Sequence, residues 1–121
     1  MRSLLPQEIE AWYLIPAVRK ELAKIFITKY KLNQREIAKI LGVTEAAVSQ
    51  YTKSKRGNEI LFSKKNLLII EKTASKIFKN KKDSIKIIYK TCGKLRNSKA
   101  MCEVHMSMDK GISKKCDICF N

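Results

Sequence analysis

Gly42 stands between two short helical patterns in "NQREIAKILGVTEAAVSQYTKSKRG", and no other stretch limits the fold as much. Asn33, followed three residues later by Glu36, predicts a capping box that opens a helix. Ile37, Ala38, Ile40 and Leu41 supply that helix with an apolar face. Glycine takes a positive φ at no steric cost, so Gly42 predicts its stop. Thr44 can cap a second helix, and Glu45 then sits at its positive end. Ala47, Val48 and Tyr51 recur at offsets of one, three and four, which turns them inward. Ala38 is small where the two helices must come close.

The flanks read as further helices. One is expected after Pro6 through "QEIEAWYL", with Pro16 ending or restarting it. A second spans residues 16–31: Leu22, Ile25, Phe26 and Tyr30 recur at helical spacing, with Arg19, Lys20, Lys24 and Lys31 between them. Beyond the central pair, "SKKNLLIIEKTASKIFKNKK" predicts a helix whose stripe is Leu67, Ile70, Ala74, Ile77 and Phe78. Asp83 or Ser84 caps the next, "IKIIYKTCGKLRN". Its stripe is Ile85, Ile88, Tyr89, Cys92 and Leu95, and Lys86, Lys90 and Lys94 form a basic ridge. From about residue 97 the periodicity disappears. Only 4 Gly and 2 Pro in 121 residues favour helices over a loop-rich or β-rich design. The fold class expected is all-α, with 45% apolar residues to build one thin core.

The formal net charge is +15. The excess is spread along the chain, +6 over residues 1–57 and +9 over 58–121. Such a field draws polyanions. The N-terminus carries acids where a signal peptide needs an unbroken apolar core, and no run approaches a membrane span. The expected location is the cytoplasm, with no membrane partner.

Two short helices joined by a tight glycine-containing turn make a helix-turn-helix. Ala38, Gly42, Val48 and Tyr51 account for its internal packing. Thr44, Glu45, Ala46, Ser49, Gln50 and Lys53 are left outside on one face. The stretch resembles the Cro/C1 (phage-repressor, XRE-type) helix-turn-helix family. The pattern stands in order at Gln34, Ala38, Gly42-Val43-Thr44, Val48-Ser49, Tyr51 and Gly57. This match covers about residues 16–57. A looser likeness to small archaeal regulators with a cysteine tail takes in Leu14, Pro16, Val18, Arg19 and Leu22 before the motif.

The resemblance implies a regulator of transcription that binds double-stranded DNA, working as a homodimer because one helix reads only a few base pairs. The second helix, residues 45–53, would enter the major groove. Gln34 would brace the first helix on the backbone. Gln50 and Ser49 are the candidate base contacts, with Ala46 beside them. Thr44, Lys53, Lys55 and Arg56 would hold phosphates, which position without specifying. Glu45 would accept from cytosine or serve the helix dipole.

The chain's soft ligands are gathered at its end. Cys102-Glu-Val-His105 and Cys116-Asp-Ile-Cys119 are two short-bite pairs, and Cys92 lies ten residues ahead of Cys102. In a reducing cytosol such clusters suit metal better than disulfides. Zinc would take Cys102, His105, Cys116 and Cys119 in a closed tetrahedral site. An iron–sulfur cluster, [4Fe–4S] for example, would take Cys92, Cys102, Cys116 and Cys119, leaving His105 as bystander. Spacing leaves both open, and a redox disulfide pair is a smaller alternative.

Nothing in the sequence suggests an enzyme or a small-molecule substrate: His105 has no nucleophile–carboxylate partners nearby, and there is no Gly-rich phosphate loop. The division expected is a phage-repressor-like DNA-binding domain over 6–80, then a helix and a small Cys/His-rich metal-binding tail over 83–121. The rival reading is a zinc-knuckle interaction module that binds RNA or a transcription-machinery partner.

Overall fold

The computed structural model describes residues 5–53 and 62–96. All secondary structure among them is helical, so the fold class is all-α. The elements are α1 (Pro6–Ile9), a π-helical turn (Glu10–Leu14), α2 (Ile15–Thr28), α3 (Gln34–Leu41), α4 (Glu45–Lys53), α5 (Lys64–Lys79), a 3-10 turn (Lys81–Asp83) and α6 (Ser84–Arg96). Among the described residues no helix is long and apolar enough to cross a membrane.

Pro16 restarts the first helix rather than ending it. Inside an α-helix it would leave the Trp12 carbonyl without a donor and crowd it with the ring. The wide π turn of Glu10–Leu14 lies directly ahead, where it makes room for the ring, and α2 continues with Pro16 in its first turn.

α2 is the central element. Leu14, Val18, Leu22 and Phe26 repeat every fourth residue, so one side of the helix goes inward, and all four are fully buried. That side meets α3, α4 and α5. Ala23 and Ala38 keep the contacts close. The helix stops at Thr28, three residues short of the expected end at residue 31. Thr28 Oγ1 donates back to the Lys24 carbonyl at 2.7 Å, and Lys31 turns left-handed at φ 57°. The Leu32 N–H then donates to the Phe26 carbonyl at 3.0 Å, closing the end of the helix.

α5 and α6 form an antiparallel hairpin over the 3-10 turn, where Asn80 Nδ2 donates to Asp83 Oδ2 at 2.8 Å. Ser63 caps α5 by accepting from the Asn66 N–H at 3.3 Å. Ile70, Ala74 and Ile77 are buried as the stripe requires, but Phe78 is not; it stacks on Tyr30 with ring centroids 4.4 Å apart.

The apolar stripe of α6 needs a larger correction. Ile85 is 58% exposed and Tyr89 71%. Ser84, Ile88, Thr91, Cys92 and Leu95 are buried instead. Three of the five expected residues stay inside, so the buried side is rotated by only about half a position, ~50°. Thr91 shares a 2.7 Å hydrogen bond with Thr73 of α5, and Ile85 lies over the Gly42 turn. Ile88, Cys92 and Leu95 join the same core cluster as Leu14, Ile37 and Ile70, so α6 is packed into the body formed by the preceding helices.

Candidate nucleic-acid interface

The α3–turn–α4 unit follows from local chemistry. Asn33 Oδ1 accepts from the Glu36 N–H at 2.8 Å, and the Asn33 N–H donates to Glu36 Oε1 at 3.5 Å. That reciprocal pair satisfies donors which the helix start would leave open. At the other end Gly42 is left-handed, φ 69°, and the Val43 N–H donates to the Ala38 carbonyl at 3.0 Å. Thr44 Oγ1 accepts from the Ala47 N–H at 3.0 Å and starts α4. Its hydroxyl hydrogen is not used in that bond, so Thr44 keeps a donor for an outside oxygen. Val48 is fully buried and Tyr51 half-buried, which fixes α4 on α2 and α3.

With Val48 inward, Glu45, Ala46, Gln50 and Lys53 are exposed and Ser49 is half-buried. Ala46, Gln50 and Lys53 are spaced by four and three, so they run along one side of α4. Gln34 is exposed at the first position of α3. Lys55 and Arg56 lie outside the described residues.

Two cations escaped the reading of the sequence. Arg35 and Lys39, one turn apart on α3, line a shallow concavity together with Ala38, Val43, Thr44 and Glu45. Both flank the start of α4, where its dipole is positive. A basic pair at i and i+4 beside the Gly42 turn was the available signal.

Of the proposed metal ligands only Cys92 is described. Its side chain is 5% exposed and belongs to the core cluster. Burial pushes the thiol up to about 11, and the Glu10 carboxylate pushes the same way; Arg19 and Arg96 pull against both. A thiol so placed stays protonated at neutral pH, as a small core hydrophobe does. Beside it Arg96 Nη1 donates to Glu10 Oε1 at 3.4 Å, joining the C-terminal end of α6 to the π turn. Cys102, His105, Cys116 and Cys119 lie outside the described residues. Among the described residues there is no group of three or more His, Cys, Asp or Glu side chains able to hold a metal ion.

No protein-family model matches the chain, and no curated protein or solved structure matches it significantly.

Proposed function

We propose that the chain is a sequence-specific DNA-binding regulator of transcription, built on a phage-repressor-like helix-turn-helix and acting in the cytoplasm as a homodimer. The observation that carries this reading is the division of labour in α4. Val48 is spent on packing, while Glu45, Ala46, Gln50 and Lys53 stay outside. A helix held at its base with a polar outer side is the form that enters a major groove. Gln50 and Ser49 read base edges, and Gln50 suits the N6/N7 edge of adenine. Thr44, Lys53, Arg35 and Lys39 hold phosphates, with Gln34 bracing α3 on the backbone. The +15 charge supplies the sequence-independent part of the attraction.

The C-terminal tail binds metal in this reading. The burial of Cys92 favours zinc on Cys102, His105, Cys116 and Cys119 over an iron–sulfur cluster. Cys92 then serves the core and the tail supports the dimer. Zinc would supply a fixed tetrahedral crosslink.

The test is selection of duplex DNA from a random pool at moderate salt, with the wild type and Gln50→Ala. The wild type is expected to enrich one sequence. Gln50→Ala loses ~1–3 kcal/mol of discrimination at one base pair and keeps its helicity. Uniform, steeply salt-dependent binding by the wild type would reduce the activity to charge-driven coating.

A further inference from the structure

α5 and α6 enclose a groove of about 410 Å³, lined by Ile69, Lys72, Thr73, Lys76, Ile87, Lys90, Thr91 and Lys94. Lys72 and Lys76 are one turn apart on α5, and Lys90 and Lys94 are one turn apart on α6. Each wall of the groove therefore carries two ammonium groups. All four lysines are exposed, and none forms an ion pair among the described residues. Among the described residues no acid lines the groove; Glu71, next to Lys72 in the chain, is not part of its lining. Four like charges around one concavity repel one another, and an anion between the walls relieves that.

The floor narrows the choice of anion. Thr73 and Thr91 are 4% and 5% exposed, with their hydroxyl oxygens 2.7 Å apart. Thr73 Oγ1 donates to the Ile69 carbonyl at 2.8 Å, which uses its only hydrogen. Thr91 must therefore donate to Thr73. Both hydroxyl hydrogens are committed, so the floor offers an anion no donor, and the contacts fall to the lysines at the rim. A single small ion on the floor would be poorly held. A ligand whose charges are strung out can meet both walls at once.

We propose that the α5–α6 groove binds a small molecule carrying two or more linked phosphate groups. Lysine is a common phosphate ligand because its ammonium is a compact point charge with three donors. The volume suits a ligand of nucleotide size. Duplex DNA is too broad to enter a cleft between two packed helices and could only lie across its rim. Ile69 and Ile87 supply apolar wall for a base or another flat group, if the ligand carries one. This site is separate from α4 and does not rest on the DNA-binding reading; it would give the protein a place for an effector.

The test is calorimetric titration of the full-length protein at about 150 mM salt, where surface attraction is screened beyond ~8 Å. The probes are inorganic tripolyphosphate and a nucleoside triphosphate, both without divalent metal. Saturable binding of one tripolyphosphate per chain is expected. Equal affinities would assign recognition to the phosphates alone; tighter binding of the nucleotide would add Ile69 and Ile87 to it. Lys76→Gln/Lys90→Gln should weaken tripolyphosphate about tenfold or more, the loss of two charge-assisted contacts. Lys64→Gln/Lys65→Gln removes the same charge from α5 outside the groove and should leave the affinity unchanged. Circular dichroism checks that both variants fold. Absence of saturable heat, or equal weakening by the two double variants, would overturn the site. So would displacement of tripolyphosphate from the groove by a short DNA duplex.

Discussion

At the scale of single residues, Gly42 is the position where backbone and packing demand the same thing. Its φ of 69° lies where a Cβ is unwelcome, and a Cβ built there would meet Ile85 Cδ1 at 3.2 Å. Ile85 is mostly exposed, so its tip has room to yield. The larger cost is conformational. Gly42→Ala is expected to lose about 1–2 kcal/mol in urea unfolding, and Gly42→Asn distinctly less, because Asn tolerates the left-handed region. Equal losses for the two would place the cost in the Ile85 contact instead. Cys92 carries a different lesson. On an apolar stripe beside a cysteine-rich tail, it was open to two readings. Its sulfur is buried in the core cluster, among residues such as Leu14 and Ile70 that lie far from it in the chain, so nothing next to Cys92 in the sequence announces that burial.

Among the elements, α3 and α4 were legible because their signals are local. Asn33, Glu36, Gly42 and Thr44 each act within four residues of where they stand. Asn33→Ala removes one half of the capping box and should cost ~1 kcal/mol of stability by denaturant unfolding, with Asn33→Ser recovering most of it. An unchanged midpoint would mean that tertiary packing alone holds the start of α3. The buried side of α6 was not legible. Its apolar residues suggest Ile85 and Tyr89, yet the seam is set by Thr91 meeting Thr73, 18 residues earlier. The lysine groove was half visible for the same reason. Lys90 and Lys94 stood out as a ridge on α6, but only the hairpin brings Lys72 and Lys76 across from them. Arg35 and Lys39 were missed because the turn that gathers them with Thr44 and Glu45 acts through space.

At the scale of the whole molecule, charge and helicity were readable from composition, since neither depends on pairing. The position of α6 was not; it shares the core with α2, α3 and α5 although the pattern allowed it to stand with the tail. The proposed tail chemistry can be checked on the intact chain. Protein purified anaerobically is expected to carry one zinc, to keep it in Cys92→Ser and to lose it in Cys116→Ser and in Cys119→Ser, as read by elemental analysis. Iron with sulfide, lost in Cys92→Ser, would restore the cluster, and neither metal would sink the site. The π turn before Pro16 has a consequence for the molecule as a whole. A widened turn takes up one spare residue, and one residue is worth about 100° of helical phase. The described residues ahead of Leu14 are thereby shifted in phase relative to α2, and Glu10 comes to face Arg96, 86 positions away. A single proline thus works like the offset on a vernier scale, bringing the two ends of the described fold into alignment.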